Sequence, residues 1–168
     1  MKNAVAICLT LCLLVLFGCD ENANMTQASY NQGINIIPKP KEMSQGDGFF
    51  RLKKNTAFAA TDAEVQKVAD FMAQHLGRST GFELKVSDTV LSSNVIALSL
   101  DPTLDVNDEG YALEVAKDRV TVKAKTAQGI FYGMQTFLQL LPAEIESPTT
   151  VNKIAWTAPC VIIKDEPR

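Results

Sequence analysis

A chain of 168 residues with 46% hydrophobic and 21% charged side chains has the material for one ordinary domain with a sizeable core, and is neither disordered nor membrane-spanning throughout. Its formal net charge of −3 gives no basic footprint for nucleic acid. Acidic glycans and lipids find no obvious cationic patch either.

The first residues read as an export signal. Lys2 supplies a positive start, residues 4–17 form an almost unbroken apolar run, and Leu16-Phe17-Gly18-Cys19 closes it with a small residue before a cysteine. This resembles the lipobox of a bacterial lipoprotein. The run is short for a membrane span of roughly 20 residues, so residues 1–18 are expected to be a cleaved signal peptide, with Cys19 the first mature residue and the carrier of the acyl chains. Several chains together anchor stably where one would not. The alternative is an uncleaved N-terminal anchor with an incidental cysteine, and either way the domain sits outside the cytoplasmic membrane. Asp20-Glu21 resembles the acidic signal that sends some lipoproteins to the cell surface. Cys8 and Cys12 leave with the signal and Cys19 is lipidated, so Cys160 is left without a disulfide partner. With no histidine nearby to activate it, Cys160 reads as a small buried hydrophobe.

Residues 19–33 are rich in Asn, Gln, Ser, Thr and Ala, the composition of a flexible tether. The folded domain is expected over 34–163, with 164–168 opening a linker. Residues 34–37 read as a short strand that Pro38 and Pro40 end, Gly46-Asp47-Gly48 as a turn, and 49–52 and 56–60 as strands. Thr61 and Glu64 have capping-box spacing. Behind them Val65, Val68, Ala69, Met72 and Leu76 recur at the spacing of one helical stripe, ended by Gly77 or Gly81. Strands return at 82–86 and 95–100. In 110–125 apolar residues alternate as in a hairpin, with Lys117-Asp118 as its break. The period then changes, and Ile130, Phe131, Met134, Phe137, Leu138 and Leu141 make a second helical stripe, with Thr126 as its cap and Pro142 at its end. A helix leaving a hairpin on so short a connection folds back onto the hairpin's apolar face. A polar connection over 142–151 and a strand over 154–163, around Pro159, close the chain. This order predicts an α+β domain: a mixed or mainly antiparallel sheet with two helices packed on one face.

No catalytic constellation stands out. The single histidine, His75, has no cysteine or second histidine with which to hold zinc, and reads as an exposed polar residue on a helix. Gly129 and Gly133 read as sites of close helix packing, not as a phosphate loop. Asp165-Glu166 is the one tempting pair, since glycosidases use two carboxylates. Neighbours on an extended segment point to opposite faces, however, and with Lys164 and Pro167 alongside they read as a solvated exit from a strand. Trp156 and Tyr132 read as core or interface residues rather than sugar platforms.

Taken together, Ile36-Ile37-Pro38-Lys39-Pro40, Gly48-Phe49-Phe50-Arg51-Leu52, Glu109-Gly110-Tyr111-Ala112-Leu113, the run Thr126 through Leu141, and Ile163-Lys164-Asp165-Glu166-Pro167-Arg168 resemble the N-terminal, non-catalytic domain of β-N-acetylhexosaminidases of glycoside hydrolase family 20. The resemblance implies a sheet with two helices on one face, preceding a (β/α)8 barrel. The family removes terminal N-acetylhexosamine by substrate-assisted retention: the sugar's acetamido oxygen attacks the anomeric carbon, a glutamate protonates the leaving oxygen and an aspartate orients the acetamide. No position of this chain matches that Asp-Glu motif, so no catalytic, substrate-binding, metal or cofactor residue is carried over. The chain is expected to be truncated before the barrel, lipid-anchored through Cys19 and inactive alone, with the barrel and an N-acetylhexosamine glycan as partners of the full enzyme. Two alternatives stay open at this point: the corresponding domain of another glycosidase family such as family 84, and a free-standing surface lipoprotein that binds glycan or protein. An exposed apolar patch favours docking to a barrel. An aromatic platform on the open sheet face favours the free-standing binder.

Overall fold

A computed structural model describes residues 33–89 and 92–167. The strands are β1 (Glu42–Arg51), β2 (Ala57–Ala60), β3 (Lys85–Ser87), β4 (Val95–Leu100), β5 (Tyr111–Val115), β6 (Arg119–Ala124) and β7 (Thr157–Asp165). The helices are α1 (Ala63–Thr80), α2 (Ala127–Leu140) and a short 3-10 turn at Ala143–Glu146. All seven strands form one sheet in the order β1-β7-β5-β6-β4-β2-β3. Its β1/β7, β7/β5 and β5/β6 pairs are antiparallel, and β6/β4, β4/β2 and β2/β3 are parallel. The fold is therefore α+β with a mixed sheet. Antiparallel pairs do not dominate, because α1 carries the chain from β2 to β3 as a parallel crossover.

Register explains why both helices share one face. Ile163, Leu113, Val122, Leu98 and Ala60 lie side by side across five strands, and all are buried. The adjacent row, Lys164, Ala112, Lys123 and Ser99, faces the other way because side chains alternate along a strand. Val65, Ala69, Met72 and Leu76 of α1 join Ile130, Met134 and Phe137 of α2 over the apolar row, in one core cluster. The two glycines of α2 set how closely it approaches. A Cβ on Gly133 would lie 2.5 Å from Val122 Cγ1, and one on Gly129 would lie 2.5 Å from the Gly110 carbonyl oxygen. Farther along α2 the Tyr111 hydroxyl meets Thr136 Oγ1 at 2.6 Å, which satisfies both buried polar groups.

Several local expectations change. Residues 34–37 form no strand, since the Ile37 N–H donates to Gln139 Oε1 at 2.9 Å and the Ile37 carbonyl accepts from Gln139 Nε2 at 3.2 Å. A side chain of α2 thus takes the place of a neighbouring strand. The Gly46-Asp47-Gly48 segment lies inside β1, where the register shifts between Gln45 and Phe49. Gly48 accepts the left-handed φ of 94° that this bulge requires. Pro159, which has no N–H to give the ladder, pairs with Phe49 at the edge of the same bulge.

The cap of α1 is Asp62 rather than Thr61, its carboxylate accepting from the N–H groups of Glu64 and Val65. A carboxylate there also complements the helix dipole, which a threonine hydroxyl cannot do. Gly81, with φ 69°, closes the helix, and Gly77 lies within it. Strand β3 is shorter than the expected 82–86, because Thr80 Oγ1 takes the Phe82 N–H. The connection after α2 is not merely polar: Ile145 of the 3-10 turn is buried.

Candidate functional site

Asp165 is the last residue of β7 and Glu166 immediately follows it, and both carboxylates bind Lys41, one at its backbone and one at its side chain. Asp165 Oδ1 accepts the backbone N–H of Lys41 at 3.0 Å. Glu166 Oε1 accepts from Lys41 Nζ at 2.6 Å, and its Oε2 accepts the N–H of Asn107 at 2.7 Å. The Asn107 amide group donates in turn to the Pro167 carbonyl at 3.2 Å. The hydrogen bond from Lys41 and then the one from Asn107 hold the Glu166 carboxyl below the usual carboxylate range. The same contact, and the charge of Glu166, raise the Lys41 ammonium above its ordinary value. These carboxylates are occupied in tying the domain together through Lys41 and Asn107. The expectation of a solvated exit is corrected accordingly: the Glu166 side chain keeps only 25% of its exposure.

His75 is half-buried rather than exposed, with 18% of its side chain accessible. Its Nδ1 lies 2.6 Å from Arg78 Nη2, where the guanidinium donates, and its Nε2 lies 3.4 Å from Glu146 Oε2. Among the described residues no three His, Cys, Asp or Glu side chains gather as a metal site. Cys160 is buried, and burial pushes its thiol pKa up, the state of an inert core cysteine. Trp156 is also buried. Cys19 and the signal segment lie outside the described residues.

The outer surface of the helix layer carries a feature that the stripe pattern did not flag. The rings of His75, Phe71, Phe131 and Tyr132 follow one another across both helices, with centroids 6.4, 6.1 and 6.0 Å apart. Phe71 is 52% exposed. It stands off the apolar stripe of α1, and a phenylalanine in that position is the sequence signal that could have found this row. Beside it, Asn35, Ile37, Gln139, Leu141 and Glu146 are among the residues that line an open groove of about 330 Å³. The opposite sheet face presents Ala112, Glu114, Thr121, Lys123, Ala97 and Ser99 by register and alternation. It has no aromatic platform among the described residues of β4, β5 and β6.

The sequence profile described as "Glycosyl hydrolase family 20, domain 2" matches residues 33–166. A protein named Beta-hexosaminidase from Porphyromonas gingivalis is 39% identical over 158 residues, which are 93% of this chain and 20% of that protein. Among solved structures, the N-acetyl-beta-hexosaminidase of Streptomyces plicatus superposes with a TM-score of 0.73 at 32% identity, over 79% of this chain and 26% of that one. The GH20 beta-N-acetylhexosaminidase of Streptomyces coelicolor A3(2) gives 0.72 at 31% identity over the same 79% and 26%. The curated relatives named Beta-hexosaminidase and Beta-N-acetylhexosaminidase, from Porphyromonas gingivalis and Cellulomonas fimi, are matched over only 20% and 26% of their own length.

Proposed function

Because this chain belongs to glycosyl hydrolase family 20, we propose that it is the accessory domain that precedes and buttresses the catalytic (β/α)8 barrel of a β-N-acetylhexosaminidase. The whole enzyme would remove terminal N-acetylhexosamine from glycans. The observation that carries the reading is the reach of the family match, which takes in residues 33–166 and so every strand and helix described. The family 20 match, and the identities above 30% to family 20 enzymes, favour this reading over the family 84 alternative. Phe71, exposed at the surface of the helix layer beside the partly buried rings of Phe131 and Tyr132, is the kind of apolar contact a covalently linked neighbour covers, and it supports the buttress reading. The open sheet face, small and polar in its central strands, offers little to a free-standing glycan binder, for which stacked aromatics supply most of the contact.

Two measurements test the reading. Cells expressing the 168-residue chain should release no nitrophenol from a nitrophenyl N-acetylglucosaminide, whereas the full-length gene product should. Turnover by the short chain, with contaminating enzyme excluded, would overturn the accessory role, and an inactive full-length product would overturn the hexosaminidase assignment.

The cell-envelope location is part of the same proposal. Cys19 follows Gly18 at the end of the apolar run, and lipid there would anchor the domain to a bacterial membrane through the 19–33 tether, outside the cytoplasm. Cells fed an alkynyl fatty acid should label this protein, and Cys19→Ser should lose the label entirely. A label that survives Cys19→Ser would sink the anchor.

A further inference from the structure

We propose that Glu166 is a positioning residue: by clamping Lys41 and Asn107 to the end of β7, it fixes the path along which the chain leaves this domain. The proposal rests on the hexosaminidase reading only for what lies beyond the exit, and the clamp itself is complete within this chain.

Three segments far apart in sequence meet at Glu166. Lys41 stands immediately before β1, Asn107 lies in the connection between β4 and β5, and Glu166 immediately follows β7. One carboxylate oxygen takes the Lys41 ammonium at 2.6 Å and the other takes the Asn107 N–H at 2.7 Å. The neighbouring Asp165 holds the Lys41 backbone N–H at 3.0 Å, so the residue before β1 is gripped by two successive carboxylates. The Asn107 side chain donates to the Pro167 carbonyl at 3.2 Å, which extends the grip past Glu166. Gly110 closes it from beneath, since a Cβ there would lie 3.0 Å from Glu166 Cβ and 2.5 Å from Val106 Cβ.

A strand that merely ended would leave its last residues to solvent and to fraying. Here the Glu166 side chain is held by charge-assisted contacts, stronger than neutral ones, and the Pro167 carbonyl by a neutral amide hydrogen bond. Proline at 167 restricts the residue before it to extended conformations. The direction of the chain at its exit is thus set by the domain rather than by whatever follows.

The other charged groups facing this cluster are Lys164, Asp105 and Glu42. Lys164 Nζ lies 3.6 Å from Asp105 Oδ2, and Lys164 favours the ionised form of Glu166, as Lys41 does. Glu42 and Asp105 favour the charged form of Lys41. A carboxyl held below its ordinary pKa contributes stability that is present above the unfolded value, and that is lost as pH falls through the folded one. The ammonium is held above its ordinary value, so its share is lost only at strongly alkaline pH. The clamp is therefore closed at pH 7 and opens on acidification, below the usual carboxylate range near about pH 4.

The test uses the 168-residue chain and NMR, with no glycan present. In the wild type the Glu166 amide should be as rigid on the picosecond–nanosecond scale as the strands, with an order parameter of about 0.85, and in Glu166→Ala it should fall to about 0.6 or below. The Asn107 N–H should exchange about tenfold faster or more in Glu166→Ala. Glu166→Gln keeps an acceptor for Asn107 but loses the negative charge that faces Lys41, so it should fall between the two. The amides of β5 and β6, unchanged in all variants, separate a local opening from a general loss of stability. Wild-type order and exchange in Glu166→Ala would overturn the clamp. If that variant does not fold, the wild-type Asn107 amide shift decides: a titration midpoint below the usual carboxylate range supports the clamp, and an ordinary midpoint or no titration overturns it. None of these readouts depends on hydrolysis, so the clamp and the hexosaminidase assignment can fail separately.

Discussion

Phe137→Ala should lower the free energy of unfolding by about 3–5 kcal/mol, the cost of deleting a fully buried aromatic ring and leaving part of its volume empty. Phe137 has no exposed surface and meets the equally buried Phe50 edge-on, with centroids 6.2 Å apart. That pair joins α2 to β1, the edge strand farthest from the β2 and β4 region that α1 covers. An edge-to-face ring pair is worth about 0.5–1.5 kcal/mol beyond its buried area, so Phe137→Leu, which restores most of the volume but not the pairing, should recover more than half of the loss. Urea unfolding followed by circular dichroism measures both. A loss under about 1 kcal/mol for the alanine variant would mean that the site collapses around the gap, and that α2 does not depend on this ring to hold β1.

The parts of the fold that sequence made legible are those whose signal is local. The hairpin and the helix after it were readable because the period changes from two to nearly four at Lys125, and because a capping threonine and a terminating proline sit at the ends. The close packing of Gly129 and Gly133 was readable for the same reason: two glycines one turn apart on an apolar stripe leave a flat surface. What was not legible depends on partners remote in sequence. Residues 34–37 have the composition of a strand, yet the backbone of Ile37 bonds to a glutamine 102 positions away, which no local pattern announces. Glu166 looked solvated because its partners lie 125 and 59 positions off. Gly46 and Gly48 mark a departure from regular pairing, but composition does not say whether glycines end a strand or bulge it. Only the partner strand decides that, and it arrives last in the chain. The Asp62 cap is an intermediate case: Thr61 and Asp62 are both good caps, and a one-residue choice between them falls within the uncertainty of any helix boundary.

Gly129→Ala offers the sharpest contrast between local propensity and packing. In a solvated helix the change would gain about 1 kcal/mol. Here the new Cβ would meet the Gly110 carbonyl oxygen at 2.5 Å and Ala124 Cβ at 2.7 Å. The first of these is backbone, so no rotamer change relieves it, and either α2 or the 108–110 segment must move. Overpacking of this kind costs about 1–3 kcal/mol and occasionally more, enough to cancel or reverse the gain of about 1 kcal/mol, and a net loss of up to about 2 kcal/mol in urea unfolding is expected. Movement is opposed where the helix starts. Thr126 Oγ1 donates to the Asp108 carbonyl at 2.6 Å while accepting the Gly129 N–H at 3.2 Å, so the first turn of α2 is already fastened to the segment it would displace. That segment also carries Gly110, which lies under Glu166. The substitution should therefore loosen the exit of β7 as well: Asn107 N–H exchange should quicken in Gly129→Ala, and the double variant with Glu166→Ala should lose less than the sum of the two single losses, because both act on one contiguous contact. Strict additivity would show that the helix start and the chain exit are independent, and a stabilising Gly129→Ala would show that α2 does not approach the hairpin as closely as its two glycines allow.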